Sequence, residues 1–254
     1  MPADLRRIAH EALSLSEAPY LKHYHRGRFR TWNGVAMTGS ELPGPGFNFA
    51  ACLTDTPPLD EILPVAREFF ADADQGWGVL VEGDAGHPVE VELRARGWQV
   101  AEDEPAFVMP SLSGSPPRFG EGPGEGSSHH LTPRPPSLRG KGELSIRPIL
   151  SEEDWRTFQR VTSAAYGSPP ELADLFLPSL AYFRDPAMFW VVADWSGEPV
   201  AAGGYYRIGP TAVVGGLATL EEHRGKGIGM AIVRALLADA AAKGCASACL
   251  RSGP

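Results

Sequence analysis

The sequence predicts an α+β protein built from two domains, and three observations lead to this fold class. Residues 111–142 are rich in Pro, Gly and Ser and bury too little apolar surface to offset the entropy of ordering them. On both sides of this stretch, short apolar runs bounded by turn residues indicate mainly antiparallel strands. Near the C-terminus, a strand, a glycine-rich loop, a helix and a strand follow one another, which is a β–α–β unit. We therefore predict domains at 1–110 and 143–254, with a flexible linker at 111–142.

Composition excludes several classes of function. The chain of 254 residues is 43% hydrophobic and 21% charged, which is typical of globular proteins. A net charge of −8 argues against nucleic acid or an anionic membrane as the main partner, because both require a basic face. No apolar run approaches the roughly 18 residues of a membrane helix, and residues 1–20 lack the apolar core of a signal peptide. We expect a cytoplasmic protein.

The cysteines and the paired histidines carry no metal or disulfide pattern. Cys52, Cys245 and Cys249 form no CxxC pair, so neither a zinc site nor a disulfide framework is predicted. His129 and His130 lie inside the predicted linker, where solvated side chains are expected. We therefore expect no metal cofactor.

The second domain begins with a strand, "LSIRPI", and a helix that starts after Ser151 and stops at Gly167. Acids fill the first turn of this helix, and Trp155 and Phe158 lie on its apolar face. A second helical stretch is expected in "PPELADLFLPSLAYF". The run "AMFWVVADWSGEPVAAGGYYRIGPTAVVGGLATL" then predicts three antiparallel strands joined by turns at "DWSGEP" and "IGP".

A loop with three alternating glycines follows these strands. Gly225, Gly227 and Gly229 stand between the extended run "TAVVGGLATL" and the helical run "MAIVRALLADAAAK". A helix N-terminus offers unpaired N–H groups and a positive dipole end, and glycine lets an anion approach that backbone. Arg224 and Lys226 add positive charge at the same place. The loop therefore predicts a pyrophosphate site.

Two common phosphate-binding motifs do not fit this loop. A Walker A loop requires different spacing and a hydroxyl residue, and a dinucleotide-binding loop requires GxGxxG. The observed pattern is Arg-x-x-Gly-x-Gly over residues 224–229, after a strand that ends in "LAT". It resembles the acetyl-CoA motif of the GCN5-related N-acetyltransferase (GNAT) superfamily. The resemblance covers about Leu144 to the C-terminus, and the order of elements matches as well.

The resemblance implies acetyl-CoA, or a close acyl-CoA, as co-substrate. The backbone of Leu217, Ala218 and Thr219 would pair with the pantetheine arm like an added strand. Amides of the loop and the first helical turn would wrap the pyrophosphate, and they belong to Arg224, Gly225, Lys226, Gly227, Ile228, Gly229 and Met230. The implied activity is transfer of an acetyl group to a primary amine of a small molecule or peptide.

The sequence assigns neither a general base nor a general acid. Glu221 and Glu222 are expected to be solvated acids that precede a helix. Tyr205 and Tyr206 are adjacent on one strand, so one can face an acceptor pocket while the other packs in the core. By resemblance, Tyr166 and the segment "AYFRDP" line the acceptor side.

The first domain is interpreted as a degenerate GNAT-like unit, which makes the chain a tandem. "RFRTWNGVAMTG", "FNFAACLTD" and "GWGVLVEG" are strand-like, "PLDEILPVAREFFADADQ" is helical, and "PVEVELRARGWQVAEDEPAFVMPSL" is a helix leading into a strand pair. Its ending is similar to the end of a GNAT domain. The loop before its central helix, "TDTPPLDE", has no glycine and several acids, which would repel phosphate. The basic cluster at 22–30 is expected to be a solvated edge strand.

The C-terminal end differs from the family pattern. A complete GNAT domain continues past the strand that matches "CASACLR" with a helix and two strands, whereas this sequence stops at "SGP". We therefore expect the "CASACL" strand to have an open edge that invites self-association. The alternative function is a catalytically impaired CoA-binding or interaction module.

Overall fold

The computed structural model describes residues 3–23, 27–41, 47–53, 56–71, 76–82, 87–101, 106–112, 143–169 and 179–251. The chain divides into two compact units, Met1–Val108 together with Cys249–Pro254, and Met109–Ala248. Most of the predicted linker lies outside the described residues, so the domain boundaries drawn from the sequence stay a prediction. Within the described part of the chain, the helices are all too short or too polar to cross a membrane.

The first unit holds a four-stranded sheet in the order β1-β2-β3-β4. Strands β1 to β3 are antiparallel, whereas β3 and β4 are parallel and are connected through helix α3. The predicted strands and central helix are confirmed, but two N-terminal helices were not assigned from the sequence. The elements are α1 (Ala3–Leu15), α2 (Glu17–Leu21), β1 (Arg28–Trp32), β2 (Val35–Gly39), β3 (Phe49–Cys52), α3 (Leu59–Phe69), β4 (Gly78–Leu80) and α4 (Pro88–Ala95).

Alternation along β2 and β3 gives this sheet two apolar faces. Val35 and Met37 pack with Ile62 of α3 in one cluster. Ala36 packs with Leu15 of α1 in the other. Because side chains of a strand point alternately to opposite faces, the small sheet is covered on both sides.

The second sheet has six strands in the order β5-β10-β9-β8-β7-β6. The antiparallel pairs β7–β8 and β8–β9 form the predicted meander. Its elements are β5 (Ala106–Met109), β6 (Leu144–Pro148), α5 (Glu152–Tyr166), α6 (Leu180–Phe183), β7 (Met188–Trp195), β8 (Glu198–Ile208), β9 (Thr211–Thr219), α7 (Ile228–Ala242) and β10 (Ser247–Arg251). With the first unit, this arrangement confirms the predicted fold class of two mainly antiparallel mixed sheets.

Helix α5 begins and ends as its sequence predicts. The Ser151 hydroxyl accepts from the Asp154 N–H at 3.1 Å, the Asp154 carboxylate accepts from the Ser151 N–H at 3.0 Å, and Gly167 ends the helix with φ +65°. Of the second predicted helical stretch, residues 170–178 lie outside the described residues, and Leu180–Phe183 is helical.

The prediction that the C-terminal strand has an open edge is wrong. In the sheet, β10 lies between β9 and β5, and the Leu112 N–H donates to the Ala246 carbonyl at 2.8 Å. The sequence predicted that "PAFVMPSL" would pair within the first domain. Among residues 87–101 and 106–112, however, only Ala106–Met109 is a strand, and it lies next to β10. Self-association through that edge therefore loses its basis.

Helices α5 and α7 pack on opposite faces of β8 and β9. A Cβ on Gly203 would meet the side chains of Leu217 and Ile232, and Ile232 belongs to α7. A Cβ on the neighbouring Gly204 would instead overlap the Trp190 ring. Trp190 packs edge to face against Phe158 of α5, with ring centroids 5.3 Å apart.

This packing makes Gly204 intolerant of a side chain, whereas its cross-strand partner Gly215 has room. A Cβ on Gly215 would find its nearest atom 3.9 Å away, which is ordinary contact. We expect Gly204→Ala to lower the stability by about 1–3 kcal/mol through overpacking. Gly215→Ala should leave stability unchanged or slightly raised. Urea unfolding of both variants tests this, and equal effects would contradict it.

Candidate functional site

The glycine-rich loop forms an uncapped start to helix α7. A 3-10 turn at Glu221–His223 precedes it, and Gly225 and Gly227 have φ of +71° and +87°, in the region that favours glycine. Gly227 is the N-cap residue, so no side chain caps the helix, and the first turn contains no acid. The first N–H groups of a helix have no partner within the helix. The loop therefore presents backbone donors and the positive end of the helix dipole.

The surface above the loop leaves space for a ligand. A Cβ on Gly225 would meet no atom within 4 Å. Ile228 is buried and anchors the first turn in the core, whereas Gly225 is exposed. An anion can thus approach the backbone from the Gly225 side.

The two basic residues predicted at the loop have different roles in the structure. The Arg224 guanidinium donates to the carbonyl of Thr219 at 3.1 Å and to that of Ala165 at 3.0 Å. Arg224 therefore ties the loop to β9 and to the last turn of α5. The Lys226 ammonium lies 3.5 Å from the His223 Nδ1. The first acids of the 3-10 turn, Glu221 and Glu222, are exposed.

Strand β9 contains a bulge just before the loop. Ala218 faces Ala202 and Gly215 faces Gly204, so two residues of β9 stand opposite the single residue Gly203 of β8. The first of these two is Gly216, with φ +60°, as in bulges that start with a left-handed glycine. A Cβ on Gly216 would come within 2.8 Å of the Trp190 ring, which also requires glycine.

Past the bulge, the backbone of β9 has an edge that faces away from β8. The Leu220 N–H donates to the Val200 carbonyl at 2.9 Å, so this residue faces the β8 side. Backbone groups alternate in direction along a strand, so those of Leu217 and Thr219 point to the other side. The Leu217 carbonyl accepts a hydrogen bond from the Tyr166 hydroxyl at 2.9 Å, and sequence reasoning gave no sign of this contact.

The pair Tyr205 and Tyr206 divides between the two faces of the sheet. Tyr205 is buried on the α7 face, where its hydroxyl donates to the Asp239 carboxylate at 2.6 Å. Burial, together with this carboxylate, raises the pKa of Tyr205. The Tyr206 hydroxyl lies 2.5 Å from that of Tyr182. Tyr206 is therefore the member of the pair on the α5 face, where its ring lies 3.9 Å from a Cβ built on Gly215.

An aromatic cluster surrounds the Tyr182–Tyr206 pair. Trp190 contacts both tyrosine rings, with centroid distances of 5.5 Å to Tyr182 and 5.4 Å to Tyr206. Its indole Nε1 is buried and has no hydrogen-bond partner among the described residues. The sequence signal for this cluster was the segment "AYFRDP", which was placed on the acceptor side by resemblance.

The equivalent region of the first unit has the opposite electrostatics. Helix α3 begins after Pro58 without a side-chain cap, and Asp60 and Glu61 stand in its first turn. The Cys52 carbonyl, at the end of β3, is bound by the His10 Nε2 at 2.7 Å, and burial lowers the pKa of His10. Negative side chains at a helix N-terminus neutralise the dipole that would attract phosphate.

All three cysteines are buried, and no disulfide joins any two of them. Burial raises the pKa of the Cys52 thiol to about 12, so it is inert. Cys245 and Cys249 are also buried, as is common for cysteine, which packs like a small hydrophobic side chain. In the ranges that the structure describes, no three His, Cys, Asp or Glu side chains cluster in a way that could hold a metal ion.

Comparison with known protein families gives a match in the C-terminal part of the chain. The family model for the acetyltransferase (GNAT) family matches residues 149–251. This range contains α5, the meander, the loop and α7, so the part of the chain that is similar to this family includes the whole candidate site. A search of curated proteins found no match to the chain.

Two solved structures share the fold over nearly the whole chain. A GCN5-related N-acetyltransferase from Kribbella flavida is 17% identical, with a TM-score of 0.56 over 97% of this chain and 86% of that chain. A conserved protein of unknown function from Staphylococcus epidermidis is 14% identical, with a TM-score of 0.54 over 90% of this chain and 84% of that chain. At these identities the likeness shows the fold alone.

Proposed function

We propose that the second unit binds acetyl-CoA, or a close acyl-CoA, and transfers the acyl group to a primary amine of a small molecule or peptide. The observation that carries the proposal is the uncapped start of α7 at Gly227, with no acid in its first turn. The match of residues 149–251 to the acetyltransferase (GNAT) family model supports the same ligand. The pyrophosphate would accept from the amides of Gly225 to Met230. The Arg224 amide, which the sequence predicted as a further donor, already donates to the Glu221 carbonyl at 3.1 Å.

The pantetheine arm would lie along the outward edge of β9 at Leu217, Ala218 and Thr219. The backbone groups of Leu217 and Thr219 point away from β8, which supports pairing with an extended ligand. The thioester would then lie near the bulge at Gly216, between this edge and the α5 face. The exposed ring of Tyr166 and the half-buried Tyr206 would line the acceptor side.

In the proposed reaction, the lone pair of a neutral amine attacks the thioester carbonyl carbon. The C–N bond forms, the C–S bond breaks and the thiolate of CoA leaves, while the nitrogen loses a proton to a base or to solvent. Backbone N–H groups near the bulge would stabilise the oxyanion. We assign the base and the acid to no residue of this chain.

The first unit is proposed to be structural. Asp60 and Glu61 stand where the second unit has glycine and no acid, and Arg96 is already paired with Asp60 at 2.8 Å. Such a helix start repels phosphate, so acyl-CoA would bind to the second unit only. Three buried cysteines that form no disulfide with one another support a reducing, cytoplasmic location.

The test of activity is to incubate the full chain with acetyl-CoA and a panel of primary amines while free thiol is measured. Thiol release that depends on an amine, together with an acetylated product in mass spectrometry, supports acyl transfer. Tight binding of acetyl-CoA with no turnover on any amine would favour the alternative, a CoA-binding module.

The proposal that the loop binds the pyrophosphate can be tested with two valine substitutions. Both replace a glycine with a similar positive φ, so both should strain the backbone to a similar degree. Gly227 and Gly244 have φ of +87° and +86°, at the start and just past the end of α7. Gly227→Val should fill the space that the pyrophosphate needs and remove one or two charge-assisted hydrogen bonds. We expect acetyl-CoA affinity to fall about tenfold to a thousandfold in calorimetry.

Gly244→Val is the matched control, because nothing lies within 4 Å of a Cβ there. It should show a comparable loss of thermal stability and unchanged affinity. If Gly227→Val folds, by circular dichroism, and binds acetyl-CoA like the parent, the loop is not the cofactor site.

The loss of acetyl-CoA affinity caused by replacing Arg224 or Lys226 with alanine should depend differently on salt concentration. The Arg224 guanidinium binds two carbonyls, so Arg224→Ala should weaken acetyl-CoA binding by about two- to tenfold by loosening the loop. Lys226→Ala removes a charge that is not engaged in this way, so its loss of affinity should shrink as ionic strength rises. Calorimetry at low and high salt distinguishes them. An Arg224→Ala effect that disappears in high salt would show that Arg224 acts through its charge.

A further inference from the structure

Three hydrogen bonds connect the end of α5 to the outward edge of β9. The Tyr166 hydroxyl donates to the Leu217 carbonyl at 2.9 Å. Arg224 donates to the carbonyls of Thr219, at 3.1 Å, and Ala165, at 3.0 Å. We call this set of bonds the α5–β9 clasp. It binds the carbonyls at both ends of the segment Leu217–Thr219.

The clasp lies on the side of β9 that faces away from β8, at a part of β9 with no neighbouring strand on that side among the described residues. Ala246 and Ser247 donate to the Pro210 carbonyl at 2.7 and 3.3 Å, so β10 starts beside the start of β9. Strands β9 and β10 are joined through helix α7, and such a connection makes the two strands parallel neighbours. The five residues of β10 therefore extend along β9 from its start to about Gly215. Leu217–Thr219 thus lies beyond the described end of β10. The bulge at Gly216 also interrupts the ladder on the β8 side.

Tyr166 is suited to fixing this segment. It is the last residue of α5, directly before the left-handed Gly167, and α5 packs on the sheet through Phe158 and Val161, which are buried. The Tyr166 side chain therefore extends from a helix that is packed on the sheet, although the residue itself is 59% exposed. Its removal would leave the core unchanged and free the Leu217 carbonyl.

We propose that Tyr166 is a positioning residue, which holds the Leu217 carbonyl so that Leu217–Thr219 is ordered to receive the pantetheine arm. This inference rests on the proposed binding of acyl-CoA. It assigns to α5 a role in shaping the pantetheine part of the site, separate from the loop that would hold the pyrophosphate. Tyr166 acts through the β9 backbone and is not assigned a chemical step.

The test uses Tyr166→Phe in the full chain and two ligands. Acetyl-CoA contains the pantetheine arm, whereas adenosine 3′-phosphate 5′-diphosphate has the same nucleotide and diphosphate without it. Loss of one net hydrogen bond should weaken acetyl-CoA binding by about two- to tenfold and leave the nucleotide affinity unchanged. Tyr205→Phe, which removes a hydroxyl on the α7 face, should change neither affinity.

Each calorimetry result either supports or overturns the positioning role of Tyr166. Selective loss for acetyl-CoA in a variant with the parent's melting temperature supports it. Unchanged or tighter acetyl-CoA binding by Tyr166→Phe, or an equal loss for both ligands, overturns it while the proposed function stands. If the parent protein binds neither ligand, the proposed function fails, and the inference fails with it.

Discussion

The packing of the Trp190 ring against glycine backbones determines the geometry of the whole site. Gly204 and Gly216 leave room for the ring on one face of β8 and β9, and Gly216 adopts the positive φ that the bulge requires. The bulge turns the end of β9, so the Leu217 and Thr219 carbonyls face away from β8. The loop and the start of α7 follow directly. A side chain on either glycine would clash with the Trp190 ring, so it would change the β9 edge more than the loop.

The two units show how one architecture can differ in chemistry. In both, the last strand of an antiparallel run leads through a loop into a helix and on to a neighbouring strand. The second unit starts this helix with Gly227 and no acid, whereas the first starts it with Pro58, Asp60 and Glu61. Only a few residues at the helix start thus decide whether backbone N–H groups or carboxylates are presented there.

Features that depend on local sequence were predictable. The helix start at Ser151, the meander and the helix after the glycine loop all follow from patterns of a few neighbouring residues. Pairing between distant segments was not predictable in this way. "PAFVMPSL" has the alternation of a strand, but nothing in it specifies that its neighbour is β10. The N-terminal helices were missed because their amphipathic pattern is short and precedes any clear strand.

The roles of individual site residues depended even more on tertiary contacts. A charged residue beside a glycine loop suggests a phosphate ligand. In the structure, however, the Arg224 guanidinium donates hydrogen bonds to the carbonyls of Thr219 and Ala165. Tyr166 lies 51 residues before Leu217, so no local pattern could connect them. Because both side chains bind backbone carbonyls at the same edge, the position of α5 and the shape of the β9 edge are coupled. Movement of α5 that opened the acceptor side would therefore also displace the segment proposed to hold the pantetheine arm.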